Sequence, residues 1–297
     1  MKKTSTKIEN RQDRWFYVFC YALVTILTLV VLYPVVYIIS ASFSYSDMVA
    51  QGKVWLWPVD ATLDAYRIIM KRPEIWNGYK NTIIYTVTGT LINVVITLMC
   101  AYPMARKNLR GRSAIMFFFT FTMMFSGGMI PNYMLVKNLG FMNTRWAVIL
   151  PGAMSVYNMI VCRTFIQSNI PDEMLEAAQI DGCSNTQFFF QMILPLSKAI
   201  IAVLTLWYGV SHWNAYFNAF LYLRNRDLYP LQIFLKDILI QSEQLGGENL
   251  TGVDNVSTIY VTLKYCIIVI STAPLFCVYP FVQKHFQKGV MVGSVKG

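Results

Sequence analysis

The chain has 297 residues, of which 56% are hydrophobic and only 13% are charged, and its net charge is +10. Because soluble domains carry about 25% charged residues, this composition argues against an ordinary water-soluble enzyme. Its six cysteines show no C-x-x-C spacing, so we expect neither a disulfide framework nor a zinc site.

Six apolar segments are each long enough to cross a bilayer as a helix, which takes about 20 residues. None shows the long alternation that a membrane β-barrel requires, so the predicted class is an all-α membrane protein with six transmembrane helices. The first apolar core is longer than that of a secretory signal, and we expect it to be retained. The predicted segments are 15–40, 82–104, 113–136, 144–166, 196–222 and 257–282.

The cations between these segments predict the orientation of the chain. If the N-terminus is cytoplasmic, most of the net positive charge falls on the cytoplasmic side, as the positive-inside rule requires. The short 105–112 loop is the most informative, with four cations and no acid. We therefore expect a cytoplasmic segment 1–14, a membrane domain 15–283 and a cytoplasmic tail 284–297, and we assign the positive charge to a membrane surface rather than to nucleic acid.

The residues of common catalytic and metal sites are missing. No G-x-x-x-x-G-K-[ST] phosphate loop and no G-x-S-x-G elbow occur, and two histidines, His212 and His285, are too few for a multi-histidine metal site. No acid lies within a predicted span, although proton-coupled carriers often need one there. We therefore predict no catalytic residue, metal or cofactor on this chain, and a partner that supplies the energy for any transport.

The segment 171–195, between the fourth and fifth spans, predicts two short helices. Asp172 follows a proline and is a candidate cap for the first helix. Gly182 is typical of a left-handed helix stop. Ser184 and Gln187 have the S-x-x-Q spacing of a capping box at the start of the second helix.

The first of these helices has the character of a docking element. Met174, Ala177 and Ala178 form a shallow apolar stripe to which Leu175 can be added, and the two alanines would let another surface approach closely. A helix that rests on lipid usually carries Lys and Arg, whereas 172–181 has four acids and no cation, and anionic lipid would repel it. We therefore expect it to bind a protein.

The same segment resembles the cytoplasmic EAA loop of ATP-binding-cassette importer permeases, which reads E-A-A, three residues, G, and about ten residues later I-x-L-P. Here the last positions read Ile-Leu-Pro, a small departure. The resemblance covers nearly the whole chain and is strongest to the smaller maltose-permease-like subunits of carbohydrate importers. Residues 125–131 and 212–214 also resemble the branch that serves complex oligosaccharides or polysaccharide fragments. The matching positions are Glu176, Ala177, Ala178, Asp181, Gly182, Ile193, Leu194 and Pro195.

The resemblance implies the type I ABC importer permease fold in a bacterial cell membrane. The chain would pair with a second homologous permease, bind two ATPase subunits that use ATP and Mg²⁺, and receive an oligosaccharide from an extracytoplasmic binding protein. Glu176 would meet a basic residue of the ATPase, Ala177 and Ala178 would permit close seating, and Gly182 would set the turn. The alternatives left open are a scaffold or sensor subunit that docks a cytoplasmic partner, and an importer of a non-sugar solute.

Aromatic and amide side chains near the outer end of the fifth span are candidates for the substrate path. Sugars stack on aromatic rings and bond to amides, and four-residue spacing places such residues on shared helix faces. The alternative is an aromatic belt with polar contacts between helices. Lys264, inside the sixth span, is either a functional charge or a side chain that reaches the headgroups. The candidates are His212, Trp213, Asn214, Phe217, Asn218 and Lys264.

Overall fold

In a computed structural model of the chain, residues 11–248 and 255–293 are described, and their regular secondary structure is helical throughout. The predicted all-α class is confirmed. Most of the predicted segment 1–14, part of the stretch between the fifth and sixth predicted spans and the end of the tail 284–297 lie outside the described residues. The helices are α1 (Arg11–Ser42), α2 (Ser46–Ala50), α3 (Asp64–Met70), α4 (Pro73–Ala105), α5 (Arg112–Met124), α6 (Met129–Asn138), α7 (Trp146–Ile149), α8 (Val156–Asn169), α9 (Asp172–Ile180), α10 (Asn185–Phe188), α11 (Leu194–Leu196), α12 (Lys198–Asn214), α13 (Phe217–Tyr222), α14 (Leu231–Glu248) and α15 (Asn255–Gly293), with a π-helical turn at Phe189–Ile193 and a 3₁₀ turn at Arg226–Leu228.

Within the described part, three helical stretches are long and apolar enough to span a membrane: Arg14–Ser42, Pro73–Ala105 and Ile259–Cys277. They correspond to the predicted first, second and sixth spans. The second begins earlier than predicted, because Pro73 starts the helix at a position where proline costs little, ahead of a polar first turn. Two strongly bent helix pairs raise the number of candidate spans to five.

The third predicted span is broken between α5 and α6, which meet at an angle of 113°. Gly127 and Gly128 lie between the two helices and Pro131 lies in the first turn of α6, and both residue types interrupt helices. Gly128 has a φ of +87°, a left-handed conformation that favours glycine over every residue with a β-carbon.

The predictions of continuous helices over 144–166 and 196–222 are wrong. In the first range α7 and α8 are separated by a turn, because Pro151 has no N–H to donate and Gly152 takes a φ of +79°. In the second, α12 ends at Asn214 and Ala215 is extended, so α13 starts a separate helix at Phe217. Apolar character alone does not reveal such breaks.

The chain divides into two compact units, of which the first comprises residues 1–71 and 238–270. In its described part, the apolar stretch of α1 is unburied, as expected of a helix that faces lipid or other chains. The loop after α1 is held by buried serines: Ser40 Oγ donates to Leu56 O at 2.6 Å, and Val59 N donates to Ser44 Oγ at 3.0 Å. Ordered structure therefore follows α1 between the first and second predicted spans.

The second unit comprises residues 72–237 and 271–297. Its core lies where α4 packs on α8 and α12, around fully buried side chains such as Met159, Phe188 and Leu204. Leu175 and Ala178 of α9 belong to the same core. The predicted docking helix is therefore rooted in the packed interior of this unit.

Candidate coupling segment and substrate path

Helix α9 begins at Asp172, but this residue does not cap it. The N-cap position is taken by Pro171, and Asp172 makes no capping hydrogen bond, so this prediction is wrong by one position. Its carboxylate instead lies 3.0 Å from Lys107 Nζ and 3.5 Å from Arg106 Nη1. The hydrogen bond to Asp172 raises the pKa of Lys107 above its ordinary value. The cationic 105–112 loop is thus tied to the start of α9.

The end of α9 is the predicted glycine stop. Gly182 has a φ of +81°, and its N–H donates to Gln179 O at 3.0 Å while Cys183 N donates to Ala178 O at 2.8 Å. These two bonds form a Schellman motif, which satisfies the last carbonyls of the helix. The prediction of the stop at Gly182 is confirmed.

The two alanines of α9 lie on different faces. Ala178 is 9% exposed and packs with Leu175 in the core of the unit, whereas Ala177 and Glu176 are exposed. The predicted stripe on which both alanines face a partner is therefore wrong, since the three-residue spacing of Leu175 and Ala178 turns Ala178 inward. The open surface of α9 also includes Ile180, which is 88% exposed, and Asp181 follows it.

The second short helix begins as the sequence predicts. Ser184 Oγ accepts a hydrogen bond from Gln187 N at 3.2 Å. The helix then widens into the π-helical turn Phe189–Ile193, because Pro195 has no N–H to donate to the carbonyl four residues earlier. A bend of 78° next to Ser197 follows before α12 begins. Leu194 and Pro195 therefore mark the entry to the fifth predicted span.

His212 joins α12 to α4. Its Nε2 lies 3.2 Å from the side-chain amide of Asn93, whose nitrogen can donate to Gly89 O at 2.8 Å and Ala153 O at 3.2 Å. One turn further along, Tyr208 Oη pairs with Thr97 Oγ1 at 2.7 Å and accepts from the backbone of Ser155 at 3.1 Å. These hydrogen bonds connect α12 to α4, so His212 makes a polar contact between helices, which is the alternative to a role in the substrate path.

The predicted aromatic and amide stripes are not formed. Trp213 is 7% exposed and its indole Nε1 donates to Ser271 O at 2.9 Å, so its polar edge is used within the unit. Asn214 is exposed and donates to Val210 O at 2.9 Å. Because α12 ends at Asn214, Phe217 and Asn218 lie on α13 rather than on the same helix face. The four-residue spacing therefore does not place these residues together.

Lys264 lies in the first unit and is partly exposed. Its Nζ is 5.0 Å from the centre of the Tyr265 ring, and that ring meets Tyr37 edge-on with centroids 5.6 Å apart. A cation over an aromatic face is stabilised by the ring quadrupole. The amine therefore has an aromatic neighbour, and no ion pair involving it occurs among the described residues.

Sequence reasoning missed a cleft of about 590 Å³ in the second unit, between α4, α12 and residues 274–275. Its walls are largely apolar, but the Thr86 and Thr90 hydroxyls have no hydrogen-bond partner among the described residues. Thr90 is 7% exposed. The threonines are four residues apart on α4, and this spacing within a predicted span is the signal that could have identified them.

Residues 93–292 match the family described as "Binding-protein-dependent transport system inner membrane component". The match spans well over half of the chain, and the chain belongs to this family. It is therefore a multi-pass membrane permease subunit of an ABC importer, a transport protein rather than an enzyme.

Several known proteins are similar to it over nearly their whole length. The "Polygalacturonan/rhamnogalacturonan transport system permease protein YtcP" of Bacillus subtilis (strain 168) is 39% identical, covering 96% of this chain and 100% of its own. "Protein LplC" of the same organism is 41% identical, covering 89% of each chain. A chain from the crystal structure of a bacterial ABC transporter involved in the import of the acidic polysaccharide alginate is 36% identical, with a TM-score of 0.83, covering 95% of this chain and 100% of that chain.

Proposed function

We propose that the chain is one of two permease subunits of an ATP-driven importer for oligosaccharides derived from acidic polysaccharides. Support for the substrate class comes from relatives named for polygalacturonan, rhamnogalacturonan and alginate transport. The mechanism is supported by the two faces of α9. Glu176 and Ala177 are exposed, whereas Leu175 and Ala178 are buried in the permease. A partner can bind the exposed face of such a helix, and movement of the helix is then transmitted to the core in which its other face is packed.

The proposed assembly contains a second homologous permease, two ATPase subunits and an extracytoplasmic binding protein. ATP and Mg²⁺ act on the ATPase subunits, and this chain binds neither. Both termini, the 105–112 loop and the coupling segment 171–195 lie in the cytoplasm, in keeping with the cations of that loop. The binding protein delivers the sugar to the opposite face of a bacterial cell membrane.

Each coupling residue has a distinct role in this proposal. The carboxylate of Glu176 pairs with a basic residue of the ATPase, and the small side chain of Ala177 allows close approach. Ala178 holds α9 to the permease core rather than touching the ATPase. Asp181 and Gly182 shape the turn after the helix, while Leu194 and Pro195 set the direction in which α12 departs.

The substrate path proposed here includes the threonine-bearing cleft of the second unit, and Lys264 of the first unit is a separate candidate for sugar contact. An ammonium group attracts the carboxylate of a uronic acid, and the two threonine hydroxyls, which are buried and have no partner among the described residues, can bond a sugar hydroxyl that reaches them. His212 and Trp213 support this path by packing, because their polar atoms contact neighbouring groups of the unit. Asn214, Phe217 and Asn218 remain candidates for sugar contact at the end of α12 and in α13.

Transport by the reconstituted complex tests this function. The chain is placed in proteoliposomes with its partner permease, the ATPase and the binding protein. Uptake of a labelled oligogalacturonate is then compared with uptake of a maltooligosaccharide of equal length. We expect ATP-dependent uptake of the acidic sugar at least tenfold above that of the neutral one. Preference for the neutral sugar would contradict the substrate class. Absence of a bound ATPase would favour the scaffold or sensor alternative.

A further inference from the structure

Arg106, the residue directly after α4, is a buried cation. It is 6% exposed, and among the residues whose burial is described no other lysine or arginine reaches this degree of burial. It belongs to the 105–112 loop, where sequence reasoning assigns the cations to the membrane surface. A charge withdrawn from water in this way needs compensation from its surroundings.

The compensation comes from two aromatic rings on different elements. The guanidinium carbon lies 4.9 Å from the centre of the Tyr102 ring on α4 and 5.0 Å from that of Phe188 on α10. Phe188 is itself fully buried. Arginine thus joins the end of α4 to the second helix of the coupling segment through contacts between a cation and aromatic faces.

Its remaining contact is with α9. Arg106 Nη1 lies 3.5 Å from Asp172 Oδ1, while Nε and Nη2 have no hydrogen-bond partner among the described residues. Lys107 also contacts Asp172, at 3.0 Å, but its side chain is 83% exposed. Arg106 and Lys107 therefore contact the same carboxylate, Arg106 from the interior and Lys107 from the surface.

The backbone beside Arg106 is fixed from the other side. Arg163 Nε and Gln167 Nε2 of α8 donate to the carbonyls of Met104 and Ala105, at 2.8 Å and 3.1 Å. The carbonyl of Arg106 accepts a bond from Arg112 at 3.1 Å. These bonds satisfy the carbonyls at the end of α4, so a force on the Arg106 side chain acts on a braced helix end.

We propose that Arg106 is a positioning residue that transmits the displacement of α9 and α10 to α4. This inference rests on the proposed function, in which an ATPase moves α9. Helix α4 carries Thr86 and Thr90 of the cleft, so it links the coupling segment to the proposed substrate path. The unpaired Nε and Nη2 groups can take new partners when α9 shifts, which an apolar side chain of similar size cannot do.

Substitution of Arg106 in the full complex tests the inference, with Lys107 as the matched control. In Arg106→Met we expect the ratio of ATPase activity with loaded binding protein to activity without it to fall at least fivefold, and uptake to fall with it. Arg106→Lys, which keeps the charge, should retain more of this ratio than Arg106→Met. Lys107→Ala should stay within twofold of wild type, because its exposed contact with Asp172 is screened by water.

A spin label at the exposed Val87 of α4 separates transmission from simple structural support. In a cysteine-free background we expect ATP to change the label's mobility in the wild-type complex and not in Arg106→Met or Asp172→Asn, although both variants still copurify with the ATPase. Asp172→Asn removes the charge of the acid with little change of shape, so it tests the same contact as Arg106→Met with less disturbance of the packing.

The outcomes are distinguishable. If Arg106→Met retains the stimulation ratio and the ATP-dependent change at Val87, the inference is wrong. It is also wrong if both variants lose the ATPase from the complex, since Arg106 would then be needed only for assembly. If the wild-type complex itself lacks ATPase or stimulation, the proposed function fails instead.

Discussion

At the scale of single residues, Gly89 determines how closely α4 and α12 approach. A β-carbon at this position would lie 2.5 Å from Nε2 of His212. The imidazole occupies that space while it pairs with Asn93. Small residues at contacts between membrane helices allow such close packing, and the resemblance of 212–214 to other permeases gives no hint of it.

We predict that Gly89→Ala lowers the free energy of unfolding of the permease by about 1–3 kcal/mol, the usual cost of overpacking. His212 must move or its bond to Asn93 must break. The control is Gly209→Ala on α12, where the added carbon would be 3.7 Å from the nearest atom, Thr90 Oγ1. Thermal unfolding in detergent measures the stability of both variants. Equal midpoint temperatures would contradict the prediction, because His212 would then move aside at little cost.

Position 182 tolerates fewer residue types than position 176. A proline at 182 cannot adopt a φ of +81° and cannot donate to Gln179 O, so we expect Gly182→Pro to abolish stimulation of the ATPase by loaded binding protein. Glu176→Ala should cost less, because an exposed ion pair contributes only about 0–1 kcal/mol. Measuring ATPase stimulation in both variants tests the ranking, which a larger loss in Glu176→Ala would reverse.

At the scale of elements, α9 shows how a short amphipathic helix can be misread. Its sequence offers a stripe that includes both alanines, but a stripe does not say whether the permease or a partner covers it. In the structure Leu175 and Ala178 are covered by the chain's own core, and Glu176 and Ala177 stay open. The helix and its glycine stop were predictable, whereas its orientation was not.

The two alanines therefore give a prediction that separates folding from docking. Ala178→Trp should destabilise the isolated permease by about 1–3 kcal/mol or more through overpacking, since Ala178 is 9% exposed. Ala177→Trp should leave the stability unchanged within about 0.5 kcal/mol, as is usual for surface changes. It should instead reduce the amount of ATPase that copurifies. The opposite pattern would mean that Ala178 faces the partner after all.

The broken helices limit prediction at this scale as well. Gly127, Gly128 and Pro131 mark one break plainly, because both residue types interrupt helices for known steric reasons. The break after Asn214 lacks such a mark: neither Ala215 nor Tyr216 is a helix breaker, yet Ala215 is extended. Burial of Trp213 and its bond to Ser271 accompany this turn, and contacts so distant in sequence cannot be read from local spacing.

At the scale of the whole molecule, the asymmetric distribution of cations predicts which loops are cytoplasmic. We expect Cys183, in the coupling segment, to react with a membrane-impermeant maleimide in inverted vesicles and not in intact cells. A cysteine introduced at the exposed Gln51, between the first and second predicted spans and hence on the predicted outer side, should react in intact cells. Each test uses a background that lacks the other cysteines.

Labelling at both positions from the same side would contradict the predicted topology and with it the proposed docking of α9. The positive-inside rule gives this prediction without any contact information, because it depends on the number of lysines and arginines near the ends of the spans. For the same reason it says nothing about which cation becomes buried, as Arg106 does.

The sequence by itself determined the membrane class, the approximate position of most apolar segments, the motif at 176–195 for which a coupling role is proposed, and the family to which the chain belongs. These features depend on composition and on short-range spacing, which a linear chain records directly. The tertiary structure decided which alanine faces outward, where the fifth segment turns, that Asp172 pairs with the 105–112 loop, and that Thr86 and Thr90 border a cleft. Each of these depends on side chains far apart in sequence that meet only when α4, α8, α9 and α12 pack together.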